Sequence, residues 1–157
     1  MAPHEYAYLL PQPDPLTQPF WDAAKQHRLV IQECGKCGKL RHPPTGTCAE
    51  CGSEAFGWRK MSGRGTLYSY TIVHQTALPN WRNSVPYNIV LVAPDEAPEM
   101  RLHGNVVDFD DSKLKVGLPL VAVFDDVTPE DTIIRWRVRD AGGEATGTVL
   151  TRGERHV

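Results

Sequence analysis

The four cysteines constrain the fold of this chain more than any other feature. They form two Cys-x-x-Cys pairs, Cys34 with Cys37 and Cys48 with Cys51, and ten residues separate the pairs. Two such turns that face each other place four thiolates around one centre, at metal–sulfur distances of about 2.3 Å. A glycine follows each pair and tolerates the left-handed backbone that a tight turn needs. The spacing therefore predicts a zinc ribbon with one structural metal ion.

Other uses of these cysteines are less favoured. Iron in a rubredoxin-like site fits the same ligands and stays open as the second choice of metal. The sequence begins Met-Ala-Pro-His-Glu, without an apolar export signal, so we expect a reducing, cytoplasmic setting rather than disulfides. A redox dithiol needs only one pair. Because all four ligands come from the protein, no position remains for a reacting water, and a catalytic metal is not expected.

Composition limits the class of protein. The 157 residues carry a formal net charge of −2, with 41% hydrophobic and 23% charged residues, as in globular domains. This balance gives no general attraction for nucleic acid. An apolar run near 18 residues is missing, so no membrane span is predicted. Thirteen glycines, thirteen prolines and many short β-branched runs favour a β-rich protein.

We divide the chain into four parts: an N-terminal arm and helix (1–28), the ribbon (29–60), a barrel (61–139) and a flexible tail (140–157). A helix is predicted over 17–28, with Thr17 as its cap. Its apolar face is formed by Phe20, Ala23, Ala24 and His27. Phe20 and Trp21 either dock on the chain's own core or anchor a partner protein.

Five strands are predicted after the ribbon, over 64–75, 87–93, 99–107, 119–126 and 132–139. The second is apolar on both faces, so we expect it to be central and buried. Gly104 predicts a bulge or bend in the third. Five strands at this spacing suit a five-stranded OB-fold barrel, although strand count alone also allows an SH3-like barrel or a sandwich.

Two stretches are candidate ligand-binding surfaces. In the loop 76–86, Trp81 and Arg82 offer a stacking plane beside a guanidinium, and we expect Arg64 near them. The second stretch is a stripe on one face of the last strand, formed by Arg135, Arg137 and Arg139. The alternative for this stripe is pairing with carboxylates such as Asp125 or Glu99. Trp81 alternatively packs against the barrel.

A catalytic set is not recognisable in the sequence. The metal takes every cysteine, and no nucleophile elbow, phosphate-binding loop or His-Glu-x-x-His motif is present. Asp125 and Asp126 are adjacent on a strand and point to opposite faces, so they are expected at a solvated strand end rather than in one site. His42 lies inside the ribbon, but the four thiolates already complete the shell, so a surface position is expected.

An ordered set of motifs resembles a known family. The segments are Pro-Phe-Trp-Asp-Ala-Ala (19–24), Leu-Val-Ile-Gln (29–32), the two Cys-x-x-Cys-Gly turns with Pro43-Pro44 between them, Ser-Gly-Arg-Gly-Thr (62–66), Tyr-Thr-Ile-Val-His (70–74) and Pro86-Tyr87. Over roughly residues 14–139 they resemble the zinc-ribbon/OB-fold family that was once catalogued as a domain of unknown function and is now described as acyl-CoA-associated.

The resemblance implies an N-terminal helical segment, a rubredoxin-like zinc ribbon and an OB-fold barrel. It also implies a non-catalytic small subunit of a thiolase or thiolase-like enzyme complex, which bridges partners and helps to hold a CoA ester. The expected partners are then a thiolase-like large subunit and an acyl-CoA, in a hetero-oligomer. The competing hypothesis is a module that binds single-stranded nucleic acid, because zinc ribbons and OB-folds do so elsewhere.

Overall fold

The computed structural model describes residues 8–139 of the chain. Its elements are α1 (Gln18–Lys25), β1 (Val30–Cys34), β2 (Leu40–Arg41), β3 (Phe56–Lys60), β4 (Arg64–Val73), β5 (Tyr87–Pro94), β6 (Leu102–Gly104), β7 (Pro119–Asp126) and β8 (Thr132–Val138), with short 3-10 turns at Pro79–Trp81 and Asp111–Lys113. The β-rich class with one N-terminal helix is confirmed. The predicted flexible tail (140–157) and the first seven residues of the arm lie outside the described residues.

The helix α1 is shorter than predicted, and Thr17 stands at its N-cap position, as predicted, but does not cap it through its side chain. The Thr17 side chain makes no capping hydrogen bond; instead Asp14 Oδ1 accepts hydrogen bonds from Thr17 N (2.7 Å) and Thr17 Oγ1 (2.8 Å). At the other end, Arg28 N donates to Ala23 O and His27 N donates to Ala24 O, which is a Schellman termination. His27 takes the left-handed position (φ 54°) where glycine is usual.

The ribbon is a three-stranded antiparallel sheet in the order β2-β1-β3. Gln32 of β1 lies opposite Arg41 of β2 and Trp58 of β3, so these three side chains share one face. On β1, the neighbouring residues Ile31 and Glu33 point to the other face of the sheet. Ile31 is fully buried in the core that the ribbon shares with the barrel.

The barrel is a five-stranded sheet in the order β6-β5-β4-β7-β8. All neighbouring strands are antiparallel, and the sheet closes where Val106, after β6, pairs in parallel with Trp136 of β8. A closed sheet with this antiparallel order and one parallel closure is the OB-fold arrangement. The closure consists of this one bridge, so the barrel is nearly closed.

Two predictions about individual strands are wrong in whole or in part. The strand β5 is not buried on both faces, because its burial alternates and Ile89 remains 37% exposed. Gly104 does not mark a bulge, since the register of β6 with β5 is regular and the irregularity lies in β4 between Leu67 and Ser69. A Cβ at Gly104 would lie 2.7 Å from Cδ1 of Trp136. The glycine is therefore needed for close packing, and it also ends β6 where the chain leaves β5, so that Val106 pairs with Trp136 of β8 as the predicted bend requires.

The barrel core anchors both the helix and the root of the ribbon. Its most deeply buried large side chains include Trp136, Phe124 and Leu67. On α1, Ala23 and Ala24 are buried, and Phe20 packs against this core. His27 lies over Phe124 with ring centroids 5.6 Å apart, and its Nε2 is 3.0 Å from Asp126 Oδ1 on β7. The predicted apolar helix face is thus the docking face.

Candidate functional site

The two Cys-x-x-Cys turns have nearly the same backbone geometry. In the first knuckle (34–38), Gly38 N donates to Cys34 O at 3.0 Å; in the second knuckle (48–52), Gly52 N donates to Cys48 O at 2.9 Å. Both glycines have positive φ angles, 72° and 69°. A side chain at either position would strain the turn, so the glycine after each pair holds the knuckle in shape.

The knuckles bring the four thiols together as one cluster. The Sγ atoms of Cys34 and Cys51 lie 3.6 Å apart, those of Cys37 and Cys48 lie 3.7 Å apart, and all four fall within 4.8 Å of one another. A tetrahedral ion with arms of about 2.3 Å requires sulfur–sulfur distances of about 3.8 Å. The cysteines therefore fit one metal ion with four protein ligands.

The surroundings shift the pKa values of two of the thiols in opposite directions. Backbone N–H groups of Cys37 and Lys36 directed at the Cys34 sulfur lower the pKa of Cys34 to about 6. At Cys37, a hydrogen bond from the Lys39 backbone lowers the pKa, but burial and shared protons with the other three sulfurs outweigh it, so the pKa of Cys37 rises to about 12. Four close sulfurs need a cation before all of them can be thiolates.

His42 is not part of this cluster. Within residues 8–139, the four cysteines are the one group of three or more side chains that could hold a metal ion. The expected surface position is wrong, however, because His42 is half-buried. Its ring lies 5.4 Å from that of Phe20. Burial, and then the charge of His103, lower the pKa of His42. The side chain helps to pack the helix against the ribbon.

The loop 76–86 joins β4 to β5 and carries an aromatic cluster. The Trp81 ring lies 4.4 Å from that of Tyr8 in the arm and 4.9 Å from that of Tyr87 at the start of β5. The Tyr8 hydroxyl also hydrogen-bonds to Ser84 Oγ. Trp81 is half-buried by these contacts, whereas Arg82 is exposed beside it. Packing against the barrel, one of the two interpretations of Trp81, is therefore observed.

The structure does not bring Arg64 close to this loop, which corrects the expectation that they are neighbours. Arg64 begins the ten-residue strand β4, and the loop follows the end of that strand. An extended strand of this length spans roughly 30 Å. Arg64 lies instead beside Val121, and its backbone carbonyl accepts from Asp95 N.

Two of the three arginines of the predicted stripe lie in β8 and pair with carboxylates, whereas Arg139 follows the end of that strand. Arg135 is buried, and its Nε donates to Asp125 Oδ2 at 2.9 Å. Arg137 forms an ion pair with Asp108. Pairing with Asp125 was the alternative to ligand binding, and it is observed. That Arg135 and Arg137 bind a ligand stays a prediction. Their charges are already compensated by Asp125 and Asp108.

The two aspartates at the end of β7 behave differently from a solvated strand end. Asp125 is only 2% exposed, so the expected solvation is wrong for it. Asp126 accepts hydrogen bonds from Thr132 Oγ1 at 2.6 Å and lies against His27. The two carboxylates contact different partners, Arg135 for Asp125 and His27 for Asp126, so they do not share a site.

The predicted interface residues Phe20 and Trp21 stand edge to face, with ring centroids 5.2 Å apart. Phe20 packs on the chain's own core, which was one of the two interpretations, while Trp21 is half-buried at its side. The sequence reasoning did not single out the contact of Tyr8 with Trp81. The apolar character of the arm was the available signal, because a free tail rarely carries tyrosines and leucines next to each other.

Comparisons with known proteins agree with this geometry. Residues 21–57 match the family model "ChsH2, rubredoxin-like zinc ribbon domain", and residues 58–125 match "ChsH2, C-terminal OB-fold domain". Among solved structures, one described as "Ltp2-ChsH2(DUF35) aldolase" shares 35% identity and a TM-score of 0.74, covering 82% of this chain and 98% of that chain.

Curated relatives differ from this chain in length. A "Probable enoyl-CoA hydratase alpha subunit" of Thermomonospora curvata is 39% identical over 115 residues, which are 73% of this chain and 35% of that protein. A "DUF35 domain-containing scaffold protein" of Methanocaldococcus jannaschii is 29% identical over 101 residues, 64% of this chain and 70% of that protein. The chain thus spans about a third of the hydratase subunit that it matches.

A helix able to cross a membrane is not found in residues 8–139, where the α-helix has eight residues. The ribbon and barrel models together match residues 21–125, the four thiols converge as the ribbon requires, and the sheet closes as an OB-fold. The chain belongs to the ChsH2/DUF35 family of zinc-ribbon and OB-fold proteins.

Proposed function

We propose that this chain is a non-catalytic subunit of a thiolase-like enzyme complex that acts on acyl-CoA. The observation that carries the proposal is the match to nearly the full length of a chain in the Ltp2–ChsH2 aldolase structure. The relatives' names support a place in an enzyme complex, since they include a hydratase subunit and a scaffold protein. The thiolase partner comes from the family resemblance of the sequence motifs.

The positions of the four thiols support a non-catalytic role for this chain. Thiolase-type reactions need a free cysteine nucleophile, and the chain's four cysteines all lie in the metal cluster. A closed shell of four protein ligands leaves no coordination position for substrate. The nucleophile is therefore assigned to the partner, and this chain is assigned to bridging and to holding the CoA ester.

The proposed metal is zinc. Cys34, Cys37, Cys48 and Cys51 would hold it, and the zinc-ribbon description of the matching family supports zinc over iron. When bound, the ion supplies folding free energy and neutralises thiolate charge. One zinc ion per chain in a colourless protein is the expected result of metal analysis. The visible absorption of a ferric thiolate centre would instead assign iron.

The loop 76–86 is the proposed surface for the CoA ester. Arg82 is exposed beside the half-buried Trp81, so a phosphate and an adenine ring would find a cation next to an aromatic plane. Arg64 is set apart because it lies at the far end of β4, and Arg135 and Arg137 are paired with carboxylates. The same pairing leaves less positive charge for single-stranded nucleic acid, the competing function.

Two measurements test the proposal. The purified chain alone should turn over no CoA ester, and pull-down from the source cell should recover a thiolase-fold protein with which activity appears. In that complex, Arg82→Met should raise the KM for the CoA ester, whereas Arg59→Met in the ribbon should not. Turnover by the isolated chain contradicts the non-catalytic role. Tight, salt-sensitive binding of single-stranded oligonucleotides would favour the competing function.

A further inference from the structure

One face of the ribbon sheet carries a buried cation that has no partner. All three guanidinium nitrogens of Arg41 are inaccessible to solvent, and none forms a hydrogen bond or ion pair within the described part of the chain. Burying a charge in this way is unfavourable by several kcal/mol unless an opposite charge and hydrogen bonds compensate it. Buried polar groups in folded proteins are nearly always satisfied, so an unsatisfied cation indicates a missing acceptor.

A second unsatisfied donor lies directly across the strand pair. Gln32 is opposite Arg41 in the register of β1 and β2, which places their Cβ atoms about 5 Å apart on one face. Gln32 Oε1 accepts a hydrogen bond from Thr45 N at 2.9 Å, so the orientation of the amide is set by that donor. The remaining Gln32 Nε2 is buried and has no hydrogen-bond partner among residues 8–139. Both neighbours therefore present N–H groups and need acceptors.

The ribbon's own carboxylates do not fill this need. Glu33 is next to Gln32 in β1, but it points to the opposite face and pairs there with Arg59. Trp58 occupies the third position of the Gln32 row and contributes a largely apolar ring. The metal cluster is not a substitute, because no Arg41 nitrogen hydrogen-bonds to a sulfur in residues 8–139.

We propose that Arg41 and Gln32 form a binding site for a small oxyanion, a phosphate or carboxylate group, inside the ribbon. The planar guanidinium offers two parallel N–H groups that match two oxygens of such a group, and the Gln32 amide supplies one more donor. The segment 43–47, which is mostly exposed, is attached to the site by the hydrogen bond from Thr45 N to Gln32. This site is separate from the loop 76–86 and does not depend on the proposed function.

The test is thermal unfolding of the metal-loaded full chain in inorganic phosphate, acetate or chloride at equal ionic strength. At least one of the two oxyanions, phosphate or acetate, should raise the Tm relative to chloride. The expected rise is about 5 °C once the concentration of that anion exceeds its Kd about 100-fold. A response to phosphate alone identifies a phosphate ligand, and a response to acetate identifies a carboxylate. Calorimetric titration of the wild-type chain with the active anion should show one site.

Three variants separate this site from general salt effects. Arg41→Met should weaken anion binding at least about tenfold. Gln32→Glu places a carboxylate opposite Arg41, so it should raise the Tm in chloride and abolish the response to the oxyanion. Arg59→Met is the matched control, because Arg59 lies on the other face and already has Glu33 as its partner.

The proposal is overturned by either of two results. One is the absence of any oxyanion response in the wild-type chain by both methods. The other is a response that persists in Arg41→Met or in Gln32→Glu. If Arg41→Met does not fold, Arg41→Lys keeps the charge and loses the planar fork; an undiminished response in that variant has the same consequence.

Discussion

The ribbon and the barrel reach stability by different means. In the barrel, Trp136, Phe124 and Leu67 are almost completely buried, and pairing of Val106 with Trp136 nearly closes the sheet. In the ribbon, β3 is mostly exposed, and in both knuckles only Cys34 and Cys48 are buried. The ribbon reaches the shared core through Leu29 and Ile31, with Leu40 packed against them. A region with so few buried apolar groups depends on its metal.

The difference extends to the charged pairs. Arg135 and Asp125 form a pair in the barrel whose side chains are 7% and 3% exposed, whereas Arg59 and Glu33 in the ribbon are 48% and 28% exposed. Water screens the ribbon pair and is excluded from the barrel pair. The barrel thus encloses a packed interior that includes a charged pair, while most side chains of the ribbon contact solvent.

The largest expected effect is removal of a metal ligand. Cys48→Ser should abolish stoichiometric metal binding and destabilise the knuckles by about 3 kcal/mol or more, because structural metal binding contributes directly to folding. Hydrogen exchange should then accelerate over residues 34–55 and remain slow in β4, β5 and β7. Ala49→Ser, an exposed change between the ligands, is the control. A Cys48→Ser chain that kept its metal and its melting curve would refute the four-thiolate site.

The buried ion pair gives the next effect. Asp125→Ala leaves the Arg135 guanidinium without its main acceptor, and breaking a buried pair in this way costs about 3–5 kcal/mol. Glu33→Ala in the ribbon should cost less than about 1 kcal/mol, because its pair is solvated. Urea unfolding of both variants measures the contrast. Equal losses would show that the two regions do not differ in how they bury charge.

Two glycines test the packing contrast at smaller scale. A Cβ at Gly65 would lie 2.7 Å from the carbonyl oxygen of Ala93, which cannot move without disturbing the sheet. Gly65→Ala should therefore cost about 1–3 kcal/mol. A Cβ at Gly57 in β3 meets nothing within 4 Å, so Gly57→Ala should be neutral or slightly stabilising, by roughly 0.5 kcal/mol. Thermal unfolding with the metal bound distinguishes the two.

The same contrast explains what the sequence predicted. The knuckles were predictable because metal coordination fixes residue type and spacing locally, and the strands from β4 to β8 follow from turn and β-branched patterns. Side-chain pairing across the barrel was not. Nothing near Arg135 in sequence specifies Asp125 as its partner rather than a ligand, and the distance from Arg64 to Trp81 depends on where β4 begins and ends.

The helix end was also beyond sequence reasoning. Periodicity placed His27 on the docking face, but α1 ends at Lys25 and His27 reaches that face from a left-handed backbone position. The helical sequence pattern includes His27 although the helix does not. Contact with Phe124 and Asp126 determines where the His27 side chain lies. Local propensity favours glycine at this position, and tertiary contacts override it.

The smallest expected effect concerns His42, where the ribbon meets the helix. Burial, then the charge of His103, lower its pKa, so the folded chain binds this proton less readily than the unfolded chain. Its contribution to stability is therefore complete above the unfolded pKa of about 6.5 and is lost as the pH falls below that value. His42→Gln should flatten the fall in Tm between about pH 7.5 and 5.5.

Both proteins carry the same four thiols, so acid release of the metal cancels in the difference between their Tm profiles. His74→Gln, at an exposed position after β4, should leave the wild-type profile unchanged. A His42→Gln profile as steep as that of the wild type would mean that the acid sensitivity of the chain does not arise at His42.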